Sequence, residues 1–284
     1  MDFQLTDEQK MLKKLAHDIA EKEFRPIAKE IEEKAEPLPR KYLKFLAGQG
    51  LLGIPFPEKY EGQGLTAFES ILVIEEFARV CPPIAMPVFE SSVGPVRVIE
   101  QFGTEGQKQK YLPPVCRGEI LFAVGMTEPE AGTALTDLKT RGVLDKDHYV
   151  INGQKRFITG GGDANVYMVY IRLSDAKGAG GIGGIIVEKG TSGFTFGKQE
   201  ELMGLRGIAS SDLIFEDCRV PKENLVIEEG AFKKLMTAFD LERCGNATMS
   251  LGIAQGALEA AIKYSTERKQ FGKEICEFQA VQLM

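Results

Sequence analysis

The 284-residue sequence predicts a multidomain α and β protein with an N-terminal all-α domain, a middle β-barrel or sandwich, and a C-terminal helical region. Three observations predict it. Apolar residues recur at helical spacing through the first ~115 residues, behind repeated Thr-x-x-Gln/Glu capping boxes. From Ile120 the period drops to two, and from Gly230 it returns to helical. The expected domains are 1–118, 119–226 and 227–284.

Thr6-x-x-Gln9 precedes Met11, Leu12, Leu15, Ile19, Phe24 and Ile31, a long amphipathic helix with an expected kink near Pro26. A shorter helix through Tyr42, Leu43 and Leu46 ends at Gly48 and Gly50. Thr66-x-x-Glu69 caps a third, and Thr104-x-x-Gln107 caps another that is expected to stop at Pro113 and Pro114. Short strands are expected at 120–124, 141–144, 148–152, 154–159, 166–173, 184–187 and 212–215, with turns at Asp145-Lys-Asp147 and Asn152-Gly153. Gly178 to Gly183 satisfies the spacing G-x-G-x-x-G, yet the β-like run Gly184-Ile-Ile-Val187 follows it. A dinucleotide fingerprint needs a helix there, so a hairpin tip is expected instead. Beyond Phe232, Leu235 and Phe239 the helical pattern becomes rich in Gly245, Gly252, Gly256 and alanines, which implies close helix packing or room for a ligand. A further helix is expected to begin within 276–284.

A net charge of -6 with no Lys/Arg-rich face argues against nucleic acid as a partner. The N-terminus lacks the basic and apolar regions of a signal peptide, and no apolar run is long enough to span a membrane. A cytoplasmic location is expected, or an organelle matrix if a leader was removed. Five widely spaced cysteines without a C-x-x-C pair suggest neither disulfides nor a metal site. With only His17 and His148 present, acid-base chemistry falls to carboxylates.

The stretch Met126-Thr-Glu-Pro-Glu-Ala-Gly-Thr133 reads as a strand end opening into a loop. Pro129 fixes one dihedral and Gly132 permits positive φ, so backbone N–H groups and the Thr127 and Thr133 hydroxyls could face a polar ligand. Arg156-Phe-Ile-Thr159 would add an aromatic face and another hydroxyl, a combination suited to a flat heteroaromatic ring.

These two motifs, with Phe215-Glu-Asp-Cys-Arg-Val-Pro221, Asn224-Leu225, Glu267-Arg-Lys-Gln-Phe-Gly272 and Phe278-Gln279, resemble the acyl-CoA dehydrogenase family of flavoproteins, in the expected order along the chain. The family usually has Ser-Asp where Thr133 and Ala134 stand, and Trp where Phe157 stands; the hydroxyl and the ring are kept. The resemblance implies FAD, held by Met126, Thr127, Gly132, Thr133, Phe157, Ile158 and Thr159, with Arg268 and Gln279 reaching flavin phosphate or adenine across a subunit interface. It implies an acyl-CoA substrate near Thr133, Asp240 and Arg243, an electron-transfer flavoprotein as electron acceptor, and a homo-oligomer, a dimer or tetramer. It further implies a C-terminal four-helix bundle, for which this sequence is too short by at least two helices of ~20 residues, so the chain reads as truncated with apolar faces left exposed.

The implied reaction removes an α-proton and a β-hydride from the thioester, which requires a desolvated carboxylate base. Glu242 matches the base position of isovaleryl- and long-chain-type members; in most others the base falls in a region beyond Met284. Both remain open at the level of sequence, as do a related flavoprotein oxidase and a non-catalytic scaffold.

Overall fold

The structure, a computed structural model, describes residues 4–284. Thr6 accepts from the Gln9 amide at 3.2 Å and Gln9 Oε1 accepts from the Thr6 amide at 3.0 Å, which starts α1 (Asp7–Ile19). The expected kink is a π-turn at Ala20–Phe24 just before Pro26, after which the chain resumes as α2 (Ala28–Lys34). Then follow α3 (Arg40–Gly48) and α4 (Ala67–Val80), the latter with its Thr66–Glu69 box in place.

Two helices were not anticipated, α5 (Pro82–Ser92) and α6 (Arg97–Phe102). Pro82 and Pro83 occupy the first turn of α5, where a missing N–H has no intrahelical partner to lose, so they start the helix instead of preventing it. In α7 (Glu105–Cys116) the helix runs through Pro113 and Pro114, a correction to the expected stop. They sit in its last turn, with only Val115 and Cys116 after them in the helix.

The middle region is one eight-stranded sheet: β1 (Phe122–Gly125), β2 (Arg141–Asp145), β3 (His148–Thr159), β4 (Val166–Arg172), β5 (Ile182–Glu188), β6 (Phe194–Phe196), β7 (Ser210–Pro221) and β8 (Leu225–Ile227). Its order is β6-β7-β3-β2-β4-β5-β8, with β1 parallel to β4. Inward residues of β3 and β7 (Ile151, Leu213, Phe215) share one core with those of β4 and β5 (Tyr167, Val169, Ile185), so the two halves of the sheet face each other. Asn152-Gly153 is not a hairpin turn; it is a register shift inside one continuous β3. Gly153 takes φ 143°, and a Cβ there would stand 2.6 Å from Thr140 Cα, so the strand can pass only without a side chain. Gly178–Gly181 forms a single 3-10 turn that leads into β5, with no helix after it.

The chain ends with α8 (Phe232–Glu267), a short hairpin of β9 (Lys269–Gln270) and β10 (Lys273–Glu274), and α9 (Gln279–Gln282). The glycines of α8 are packing devices. A Cβ at Gly245 would lie 2.7 Å from the Phe89 ring, at Gly252 2.5 Å from the Glu75 carbonyl, and at Gly256 2.1 Å from the Arg79 carbonyl. Arg79 locks this contact, donating to Glu21 at 2.6 Å, Glu76 at 3.1 Å and Glu259 at 2.7 Å. Gly256→Ala is therefore expected to lower stability by about 1–3 kcal/mol despite alanine's better helix propensity. Thermal unfolding checks this, and an unchanged or higher Tm would contradict it. Along α8, Leu251, Leu258 and Ile262 form an exposed apolar stripe, and Tyr264 is exposed on another side of the helix.

Candidate active site

Where α5, the ends of β1 and β3, and α8 meet, they enclose a cavity of about 260 Å³. Met86, Phe89 and Glu90 come from α5, Met126 and Thr127 from the exit of β1, Phe157 to Thr159 from the end of β3, and Phe239, Glu242 and Asn246 from α8. A neighbouring hollow of about 360 Å³ shares Met86, Thr159 and Asn246 and continues between Leu205, Ile208 and Met249. The two hollows adjoin and are lined mostly by apolar side chains, with Thr127 and Thr159 along the strand edge and Glu90, Glu242 and Asn246 on the helices.

That edge is built by a β-bulge. Lys155 pairs with Leu213 and Ile158 with Ser211, so Arg156 and Phe157 together stand opposite Asp212. Asp212 holds the bulge: its carboxylate accepts from Gln154 Nε2 at 2.7 Å, Arg156 Nη1 at 2.8 Å and the Phe157 amide at 3.3 Å. Phe157 is thereby kept at φ 57°, a left-handed conformation that an aromatic residue adopts only when its surroundings impose it. Its ring is 57% exposed at the cavity mouth, with the Arg156 guanidinium 4.5 Å from its centre. The Arg156 amide donates to the Thr127 carbonyl at 2.8 Å, which joins the two motifs into one edge. Among the described residues, no protein group hydrogen-bonds the Thr127 or Thr159 hydroxyl. A presented aromatic face beside unpartnered hydroxyls fits a flavin ring, whose heteroatoms need polar partners at their rim.

Across the cavity, Glu242 projects from α8, and burial pushes its carboxyl up to about 7. Sequence reasoning missed a second carboxyl, Glu90, which is 7% exposed and has no hydrogen-bond partner among the described residues. Burial first, then repulsion from Asp163 and Glu242, raises it to about 8, against the pull of Arg40. The signal was present in Ile84-Ala-Met-Pro-Val-Phe-Glu90, a carboxylate within an apolar run directly after a Pro-Pro helix start.

The cavity thus brings together Met126, Thr127, Phe157, Ile158, Thr159 and Glu242. Gly132 and Thr133 lie on the exposed outer loop and do not line it. Gly132 does not take positive φ, a correction, because the turn is closed earlier by Glu128 and Ala131, whose amides each donate to the other's carbonyl at 2.9 and 3.2 Å. Asp240 and Arg243 pair with each other on the exposed side of α8. Arg268 and Gln279 are exposed beyond the end of α8. From Glu242 to Arg268 the helix rises for 26 residues (268 − 242), about 39 Å, so Arg268 is far from its own chain's cavity.

The sequence matches the acyl-CoA dehydrogenase N-terminal domain over residues 6–119, the middle domain over 123–218 and the C-terminal domain over 231–284. A short-chain-specific acyl-CoA dehydrogenase of Clostridium acetobutylicum is 41% identical over 100% of this chain and 75% of its own length. The structure of butyryl-CoA dehydrogenase from Megasphaera elsdenii superposes with a TM-score of 0.94 at 41% identity, covering 100% of this chain and 75% of that one. A chain from a structural study of the electron-transferring flavoprotein of Acidaminococcus fermentans, concerned with flavin-based electron bifurcation, gives 0.95 at 44% identity, covering 100% and 74%. With three successive domain matches spanning the chain and a relative 41% identical over 100% of it, the chain belongs to the acyl-CoA dehydrogenase family, flavoprotein oxidoreductases that act on a CH–CH group.

Proposed function

We propose that the protein is an FAD-dependent dehydrogenase that converts a short acyl-CoA thioester to its trans-2-enoyl-CoA and passes the electrons to an electron-transfer flavoprotein. The observation that carries this reading is the Glu242 carboxyl, half-buried and raised to about 7 by desolvation, lining one small cavity together with the Thr127–Phe157–Thr159 edge. A carboxylate near neutrality in its proton affinity is suited to take a weakly acidic α-proton at working pH. Phe89 and Glu90 line the cavity on the α5 side, and the names of the relatives favour a short acyl group.

In this reading Glu242 accepts the α-proton, while Met126, Thr127, Phe157, Ile158 and Thr159 hold the flavin ring. Gly132 and Thr133 flank the same loop, with Thr133, Asp240 and Arg243 toward the CoA side of the substrate. When bound, FAD supplies the acceptor for the β-hydride. Apolar side chains of Met86, Phe89 and Phe239 line the cavity around the carboxyl and contribute to its desolvation. Arg268 and Gln279 serve the FAD of a second copy in a dimer or tetramer, a reading supported by their distance along α8 and by the exposed apolar face of that helix. The domains divide at 118/119 and 226/227. No helix among the described residues is long and apolar enough to cross a membrane.

Thr159→Val removes one hydroxyl at nearly constant volume and is expected to weaken FAD retention and shift the bound flavin's visible absorption. If FAD-supplemented wild-type protein shows no flavin absorption after desalting, the reading fails. Flavin occupancy is also expected to rise with protein concentration in parallel with assembly. A monomer that retains FAD equally well on dilution would contradict the shared site.

A further inference from the structure

Behind the polar edge of the cavity lies an ion pair that the chemistry above does not use. Lys155 sits in the middle of β3 with its side chain wholly buried, and its Nζ donates to Glu128 Oε1 at 2.8 Å and to the Met126 carbonyl at 3.2 Å. Glu128, also buried, accepts from the Lys139 amide at 2.6 Å and the Thr140 amide at 2.9 Å. One side chain of each sign therefore ties the exit of β1 to the far limb of the loop and to the entrance of β2. Room for the lysine stem comes from Gly125, where a Cβ would stand 3.1 Å from Leu213 and 3.3 Å from Lys155 Cγ.

Stability alone does not account for this arrangement. Burial pulls the Lys155 ammonium below its ordinary range while the Glu128 charge holds it up, and replacing such a pair by neutral groups of similar volume is often neutral or stabilising. What the pair does is local. Met126 and Thr127 form the edge that faces the cavity, and Lys155 is the group that holds the Met126 carbonyl, since the neighbouring backbone bonds run from Arg156 to Thr127 and between Glu128 and Ala131.

We propose that Lys155 and Glu128 are positioning residues that fix the Met126–Thr127 edge in the geometry FAD requires. This rests on the cofactor reading above. The edge is set from behind by the ion pair, so that a ligand meets a preorganised rim instead of a loop it must order.

The test compares wild type with Lys155→Met and with the double variant Lys155→Met/Glu128→Gln, which removes both charges and keeps an acceptor for the Thr140 amide. FAD affinity and the visible absorption and circular dichroism of the bound flavin are measured well below each variant's Tm. The single variant, with Glu128 stranded, is expected to lose both stability and FAD affinity. The double variant is expected to regain thermal stability as apoprotein while binding FAD about tenfold or more weakly with an altered flavin spectrum, as small misplacements of a gripping group produce. A double variant with wild-type affinity and spectrum overturns the proposal, and so does loss of folded structure in both variants, which would assign the pair to the fold alone. Wild-type protein that takes up no FAD would instead overturn the cofactor reading itself.

Discussion

Glu242→Gln is expected to slow flavin reduction by acyl-CoA roughly a hundredfold to ten-thousandfold while FAD stays bound, the usual effect of deleting one general base. The substitution keeps shape and removes the base. Because burial raises Glu242 to about 7, the wild-type rate should climb as pH rises through about 7 and level off once the carboxylate is ionised. In the Gln variant that limb should vanish. Anaerobic stopped-flow reduction across pH reads both effects. A variant that reduces its flavin at the wild-type rate would place the base elsewhere.

Glu90→Gln is expected to stabilise the folded protein at alkaline pH. The Glu90 carboxyl is raised to about 8 in the fold from an ordinary value of 4.5, so the unfolded chain loses this proton first. Below about pH 4.5 both states hold the proton and the group is neutral in its effect; between 4.5 and 8 the wild type loses stability as pH rises; above 8 the loss is complete. The full loss is on the order of 3–5 kcal/mol. Asp163 and Glu242 face Glu90 and add to the shift, while Arg40 opposes it. Thermal unfolding of both proteins from pH 5 to 9 should show Tm curves that diverge upward in favour of the variant. Parallel curves would mean that Glu90 is not held neutral by its surroundings.

What could be read in the sequence follows from how local each feature is. The boxes at Thr6, Thr66 and Thr104 are closed by residues three positions away, and all three cap helices as expected. The strand expected from the apolar run at Ile120 is found at Phe122–Gly125, and the rejection of a dinucleotide turn at Gly178 needed only the residues after it. The bulge at Phe157 was not legible, because it depends on Asp212, a residue 55 positions away that pairs with it only in the folded sheet. Helix α5 was hidden by Pro82, Pro83 and Pro87, and with it Glu90 and the α5 wall of the cavity. The small residues of α8 were legible as a pattern, but which purpose they serve is decided by α4 and α5, whose backbone and Phe89 press against Gly245, Gly252 and Gly256. Glu242 stood out by resemblance, and the structure adds which side chains, Phe239 and Asn246 among them, share its cavity.

The most direct test of the central claim is an anaerobic titration of the purified, FAD-loaded protein with short-chain acyl-CoA thioesters, followed by the visible absorption of the flavin. Stoichiometric bleaching by a short acyl-CoA, with formation of the matching 2-enoyl-CoA and recovery of the oxidised spectrum on adding electron-transfer flavoprotein, is the predicted result. A bound flavin that keeps its oxidised spectrum through the whole panel of thioesters would contradict it.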